Sequence, residues 1–203
     1  MKTAQLIRVC GSVDWSKMPR IAMDAPIVES DSPATAYAQI CAAEDALLVH
    51  LSATEPEVLA EKNGPLEMVC EDSCLEFFFR PMEADMRYFN MEFNPNACLF
   101  LGFGSCIGDL LRIVPQEEQK QQLFCPEVAR REDGWDIFFR VPFSFIRGFF
   151  PEFKVEPGKA LYCNFYKCGD KLLQPHYLTW NPIVRQGVSR FHTPAEFGRL
   201  DVV

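Results

Sequence analysis

Two segments of the chain, residues 74–80 and 87–94, carry an apolar side chain at every second position. This period is typical of a β-strand that turns one face toward a core and the other face away from it. The short polar connection between the segments predicts an antiparallel hairpin. The core face of this hairpin is predicted to consist of Leu75, Phe77, Phe79, Phe89, Met91 and Phe93.

The opposite face of the predicted hairpin is polar. It carries Glu76, Arg80, Asn90, Glu92 and Asn94, and a tight turn brings Glu76 almost directly across from Glu92. Like charges that face each other destabilise a sheet, so we expect compensation from an arginine, a bound cation or a ligand with hydroxyl donors. Two interpretations remain open: a solvated outer face whose charges tolerate each other, or a binding surface whose carboxylates and amides suit sugar hydroxyls.

The rest of the chain is built from short runs with strand character, separated by polar turns. Many short strands of this kind, with no internal repeat and no long linker, predict an all-β fold. We expect one domain over residues 1–203 that forms an antiparallel, jelly-roll-like β-sandwich. Residues 55–62 have the best helical character, and residues 115–122 fit a loop or a short helix. The other predicted strands are 36–41, 46–52, 98–103, 110–114, 127–131, 135–141, 160–167 and 177–180.

Composition narrows the classes of function. The 20 basic and 28 acidic residues give a net charge of −8, which argues against binding to nucleic acid or to anionic membranes. No segment approaches the roughly 18 consecutive apolar residues of a membrane-spanning helix. The nine cysteines are an odd number without a CxxC pair, and the first residues lack the apolar run of a signal peptide. We therefore expect free thiols and a cytoplasmic protein.

Five stretches then point to a family. EDSCLEFFF, YFNMEFN, NFYKCGD, HYLTWNPI and FHTPAEFGRL occur in this order. Together they resemble carbohydrate-binding module family 9, especially its branch of stand-alone family 9-like proteins, from about Ala34 to the C-terminus. The resemblance implies a DOMON-like β-sandwich and non-catalytic binding of carbohydrate, for example the ends of glucan or xylan chains. It also implies association with glycoside hydrolases and structural calcium.

The resemblance assigns roles to individual residues. Glu76 takes the place of a carboxylate that accepts sugar hydroxyls. Glu92 and Asn94 stand where binding members have an arginine two residues before an asparagine, so the charge at the first position is reversed. Trp180 matches a tryptophan that stacks on the sugar, and Asn181 matches the polar group beside it.

A second stacking tryptophan, expected just before the first motif, is replaced by Val69 and Cys70. The predicted site is therefore a single aromatic platform with a dissociation constant on the order of 0.1–1 mM. Replacement of Trp180 by alanine is expected to abolish binding and to leave stability nearly unchanged. Further candidate contacts are Arg80, Asn90, Tyr88, Lys167 and Tyr177.

Other functions remain as alternatives. Glu76 and Glu92 have the residue types of a retaining glycosidase, or of an accessory domain of a hydrolase. The fold could also serve as an interaction module that has lost its sugar site. A haem protein would need an axial pair such as Met86 or Met91 with His176.

Overall fold

The structure is a computed structural model, and it describes residues 1–184 and 191–203. In these residues the chain forms fourteen strands and two α-helices. The strands are β1 (Thr3–Arg8), β2 (Ile21–Ala22), β3 (Ala25–Pro26), β4 (Thr35–Ala42), β5 (Ala46–Thr54), β6 (Cys74–Arg80), β7 (Tyr88–Phe93), β8 (Leu99–Gly104), β9 (Leu111–Ile113), β10 (Glu127–Arg131), β11 (Gly134–Pro142), β12 (Ala160–Cys168), β13 (Leu178–Thr179) and β14 (Gly198–Val202). The helices are α1 (Glu117–Phe124) and α2 (Phe143–Phe149).

The strands form one mixed sheet, in which eleven follow the order β10-β11-β5-β4-β1-β14-β12-β6-β7-β8-β9. Beside this path, β2 pairs with β4, and β13 pairs with β12 and β3. The prediction of a mostly β fold is confirmed, but the prediction of purely antiparallel pairing is wrong. β1 pairs in parallel with β14, where Leu6 lies beside Val202, and in parallel with β4, where Ile7 lies beside Cys41. The sequence analysis did not predict β1, the strand that joins the two antiparallel parts of the sheet.

The sheet curls so that its two parts face each other across one hydrophobic core. Phe139 of β11 lies 4.8 Å from Phe93 of β7 and 6.4 Å from Phe77 of β6, measured between ring centroids. All six apolar residues predicted for the core face of the β6–β7 hairpin are fully buried in this core. The predicted register is also confirmed, because Glu76 pairs with Glu92.

The helical predictions had mixed outcomes. Residues 115–122 contribute to α1, so the helix is the correct alternative for that segment. The helix predicted for residues 55–62 is wrong, because local side chains hold this backbone in an extended loop. Ser73 Oγ accepts from Leu59 N at 3.0 Å, and Asp72 Oδ2 accepts from Lys62 N at 2.8 Å.

Two features of the described chain bear on membrane association and on the redox state of the cysteines. No helix in the described part of the chain is long and apolar enough to cross a membrane. All nine cysteines are free, which agrees with the prediction of free thiols.

Candidate functional site

A cavity of about 600 Å³ lies against the polar face of the β6–β7 hairpin. β6 and β7 contribute Glu76, Asn90 and Glu92 to it, because alternate side chains of a strand point away from the core. Segments that are distant in sequence close the sides. These segments contribute Ile27, Val28, Phe100, Ile107, Leu110, Asp170, Tyr177, Phe191 and His192.

The burial of the polar face under these segments decides between its two interpretations. Glu76 is 2% exposed, Glu92 is 6% exposed and Asn90 is fully buried. A solvated outer face would leave these side chains in water. The structure instead holds two carboxyl groups and an amide at the floor of a cavity.

Burial changes the acidity of both carboxyl groups. The pKa of Glu76 lies well above its usual range, first because the group is buried and second because Glu92 is nearby. Burial raises the pKa of Glu92 to about 7. Both neighbouring acids therefore favour the protonated form more strongly than a glutamate in water does.

Several buried polar atoms at the cavity floor have no hydrogen-bond partner among the described residues. They are Glu76 Oε2, Glu92 Oε2 and both polar atoms of the Asn90 amide, which lies close enough to Glu92 to lower its pKa but makes no hydrogen bond of ordinary geometry. The other oxygen of Glu76, Oε1, accepts from Cys168 Sγ at 3.0 Å. Buried polar groups are nearly always hydrogen-bonded, so four unpartnered atoms beside one cavity indicate a place for a polar ligand.

Aromatic side chains form the walls above this floor. Phe191 stacks on Tyr166 with 4.2 Å between ring centroids and 8° between ring planes, which fixes its orientation. The Tyr177 hydroxyl donates to Asp170 Oδ1 at 3.0 Å. Phe78 and Phe100 also line the cavity. The site therefore combines apolar ring surfaces with polar groups that lack partners.

Trp180 lies outside the cavity, so the prediction that it forms a stacking platform at this site is wrong. Its backbone N–H donates to Phe165 O at 3.0 Å, and its ring packs 5.8 Å from the ring of Phe165 in the hydrophobic core. Gly198 makes room for the ring, because a Cβ at that position would lie 2.6 Å from Trp180 Cζ3. Trp180 is 4% exposed and does not line the cavity.

Asn94 and Asn181 are also outside the cavity. The Asn94 side chain donates to Asp72 Oδ2 and to Lys62 O, both at 2.8 Å, and it holds the loop before β6. The Asn181 side chain donates to Glu196 O at 2.6 Å. Both amides thus stabilise loops.

Three further candidates have structural partners as well. Arg80 donates to the carbonyl of Glu83 at 2.9 Å, and its guanidinium lies over the Tyr162 ring. The Tyr88 hydroxyl forms a 2.6 Å hydrogen bond with Nδ1 of His192, a residue of the cavity lining. Lys167 is fully buried and pairs with a carboxylate on the other side of the sheet. Of the predicted residues, Glu76, Asn90, Glu92 and Tyr177 do line the cavity.

The sequence analysis missed Phe100, Asp170 and Phe191 as lining residues. Asp170 and Phe191 stand inside the NFYKCGD and FHTP stretches, so a closer look at those motifs could have found them. Phe100 lies across from Glu92 on β8, where the same alternation places it on the polar face. Cys70 lines the cavity at the position that the resemblance gives to a tryptophan.

One group of possible metal ligands lies at the cavity floor. The ligand atoms of Cys74, Glu76 and Cys168 all lie within 4.8 Å of one another. Calcium prefers oxygen ligands, whereas thiols suit softer metals. The calcium implied by the family resemblance therefore does not fit these three residues.

A curled mixed β-sheet with a buried polar and aromatic cavity defines a β-protein of the small-ligand-binding class. The model of the family described as "Carbohydrate-binding family 9" matches residues 13–202. The chain therefore belongs to this family, as the sequence motifs indicated.

Solved structures share the fold of this chain. A candidate carbohydrate-binding protein from Bacteroides uniformis is 27% identical, with a TM-score of 0.77 over 100% of this chain and 99% of that one. A family 9 module from Caldicellulosiruptor kristjanssonii in complex with glucose is 12% identical, with a TM-score of 0.68 and coverage of 100% and 96%. The same kind of module in complex with cellotriose is 11% identical, with a TM-score of 0.68 and coverage of 99% and 93%. No curated protein matches the chain.

Proposed function

We propose that this protein binds a carbohydrate, without transforming it, in the cavity over Glu76 and Glu92. The observation that carries this proposal is the set of unpartnered buried atoms on Glu76, Asn90 and Glu92. A sugar hydroxyl is both a donor and an acceptor, so it can donate to a carboxyl oxygen and accept from the Asn90 amide. A sugar would thus supply the partners that these atoms lack.

The walls support the same ligand class. A pyranose has apolar C–H faces, and an aromatic ring can cover such a face. Tyr177 and Phe191 are two rings of this kind, and Phe100 is a third. The cavity volume of about 600 Å³ also falls within the range of roughly 300–1,000 Å³ that is usual for small-molecule sites.

Glucose and cellotriose are the ligands of two structural neighbours, so glucan-type sugars are suitable first probes. The proposed ligand is a mono- or oligosaccharide, or the end of a glucan- or xylan-type chain. An association with glycoside hydrolases is part of the same proposal and rests on the family resemblance.

Hydrolysis by Glu76 and Glu92 is the less favoured function. A glycosidase needs one carboxyl group that stays ionised and another that stays protonated, so the two environments must differ. Here burial is the largest cause that raises the pKa of both groups. The family match and the similarity to a carbohydrate-binding protein favour binding over general acid and nucleophile roles.

Titration calorimetry tests the proposal with glucose, cellobiose, xylobiose and galactose. We expect at least one sugar to bind with a dissociation constant on the order of 0.1–1 mM. Asn90→Ala should weaken binding by about tenfold, because it removes both polar atoms of a buried amide. Gln122→Ala, which removes an amide from the exposed face of α1, is the matched control.

Two outcomes would contradict the proposal. Silence across a broad glycan array would favour an interaction module that keeps the fold without sugar binding. Release of reducing sugar from mixed plant polysaccharides, lost in Glu76→Gln, would indicate a hydrolase.

A further inference from the structure

The cavity floor holds two carboxyl groups that oppose each other. Glu76 and Glu92 are directly paired across β6 and β7, and each has one buried oxygen without a partner among the described residues. Asp170 adds a third carboxylate to the lining. Opposed acids in a buried site repel each other when both are ionised, so this arrangement favours a cation at the floor.

The cations nearest in the fold are engaged elsewhere. Lys167 lies on β12, but its Nζ pairs with Glu55 Oε2 at 2.8 Å, and both side chains are fully buried. Arg112 donates to the carbonyls of Leu66 at 2.8 Å and of Glu67 at 2.6 Å. Neither residue lines the cavity, and within the described ranges its lining includes no lysine or arginine.

The histidine of the lining does not supply the charge either. His192 forms a hydrogen bond with the Tyr88 hydroxyl at 2.6 Å. Burial lowers the pKa of His192 to about 4, so its ring is neutral near pH 7. The lining is therefore acidic among the described residues, and Lys167 and Arg112 act on Glu76 and Glu92 only from outside it.

We propose that the carbohydrate bound here is a cationic amino sugar, one whose amine is not acetylated. This inference rests on the proposed function and names the ligand class for the same cavity. An ammonium group has three donors, so it can reach Glu76 and Glu92 together. Charge-assisted hydrogen bonds are about twice as strong as neutral ones.

Neutral and acidic sugars complement the carboxyl groups of the cavity floor less well. A neutral sugar donates hydroxyl hydrogens but brings no positive charge to favour the ionised form of the two acids. A uronic acid brings a further negative charge to Glu76, Glu92 and Asp170. The aromatic walls also favour a cation, because the face of a ring such as Tyr177 attracts positive charge.

Calorimetry with sugars that differ from glucose at one carbon tests this inference. The probes are glucose, glucosamine, N-acetylglucosamine and glucuronic acid, at about pH 6.5, where an amine of ordinary basicity is protonated. We expect glucosamine to bind at least about tenfold more tightly than glucose, and glucuronic acid to bind most weakly. Acetylation of the amine should remove the advantage, because it removes the charge.

Two variants locate the effect. Glu92→Gln keeps the side-chain size and removes one acid, so the preference for glucosamine over glucose should fall by about tenfold. Glu127→Gln makes the same change at an exposed position of β10 and should keep the full preference. Circular dichroism and thermal melting of both variants confirm that the fold is retained.

The outcomes separate the two proposals. Equal or tighter binding of glucose, or tightest binding of glucuronic acid, would overturn the amino-sugar inference and leave carbohydrate binding in place. Binding of methylammonium as tightly as glucosamine would also overturn the amino-sugar inference, because the site would then select any small cation. No binding of any of the four sugars would overturn both proposals.

Discussion

Glu76 and Glu92 face each other with 2% and 6% exposure, at the place where the cavity meets the sheet. A sheet gains stability from favourable cross-strand pairs, and a pair of acids works against this. Proteins accept such local conflicts mainly at functional sites. At the scale of single residues, this pair is therefore the feature that most strongly connects structure to the proposed function.

The contribution of Glu92 to the stability of the ligand-free protein should fall as the pH rises through neutrality. Burial raises the pKa of Glu92 from 4.5 to about 7, so between these values the folded protein holds a proton that the unfolded chain releases. The stabilising contribution is complete below about pH 4.5 and is lost as the pH rises through about 7. Between about pH 5.5 and about pH 8, wild type should lose melting temperature relative to Glu92→Gln, a comparison in which the contributions of His50, His176 and His192, whose pKa values burial lowers, cancel.

Glu92→Gln should reduce this pH dependence, because glutamine does not titrate. The charged and titratable groups near the acid pair, such as Asp170, Cys168 and Arg112, remain in the variant. Glu127→Gln is the exposed control. If wild type and Glu92→Gln showed the same change between the two pH values, Glu92 would not be the responsible group.

Trp180→Ala should destabilise the protein by roughly 3–5 kcal/mol, because it removes a large buried ring from the core. Urea denaturation measures this loss. Leu173→Ala, at a side chain that is 88% exposed, should change the free energy of unfolding by less than about 0.5 kcal/mol. The buried position of Trp180 argues against a stacking role. If Trp180→Ala kept normal stability and lost sugar binding, that stacking role would be supported instead.

At the scale of elements, the β6–β7 hairpin has two buried faces. One face packs in the core, where Phe77 stacks with Phe79 at 4.7 Å and with Phe165 at 5.2 Å between ring centroids. The other face carries the cavity floor. The strands therefore position Glu76 and Glu92 rigidly, because the core residues between them fix the register.

Phe77→Ala should cost roughly 3–5 kcal/mol of unfolding free energy, since it leaves a cavity among stacked rings. Chemical denaturation of the variant provides the measurement. Leu111→Ala, on the edge strand β9 with 69% exposure, serves as the control. Equal stability of the two variants would contradict the assignment of Phe77 to the core.

At the scale of the whole molecule, β1 joins the two antiparallel parts of the sheet. Its parallel pairing with β4 and β14 connects the antiparallel part that contains β11 to the part that contains the hairpin. The cavity on the opposite side is closed by loops from five distant regions. The site therefore depends on the complete fold, whereas its floor depends on one hairpin.

Thiol reactivity reports on this packing. Cys10, Cys106 and Cys125 are exposed and should react rapidly with a thiol reagent in the native protein. The buried thiols should react slowly, and all nine should react after denaturation of protein made in a reducing cytosol. We propose that the protein functions in such a compartment. Mass spectrometry that found stoichiometric disulfides would contradict both expectations.

The sequence by itself determined the hairpin, its core face and the opposition of Glu76 and Glu92. These features follow from a period of two residues and a short turn, which act locally along the chain. The motifs also identified the family before any tertiary structure was considered. The alternation of apolar and polar residues along a strand shows on which face each side chain lies. For β6 and β7 this was sufficient to predict the core face and the polar face.

Only the tertiary structure decided what covers each side. The polar face became a cavity because Phe100, Tyr177 and Phe191 arrive from separate segments. Trp180 turned into the core because β13 pairs with β12 in the register that sets its backbone beside Phe165. β1 entered the sheet in parallel with strands that lie far away in sequence. These arrangements depend on long-range packing, which sums many weak contacts over the whole molecule and leaves no periodic signal in any one segment.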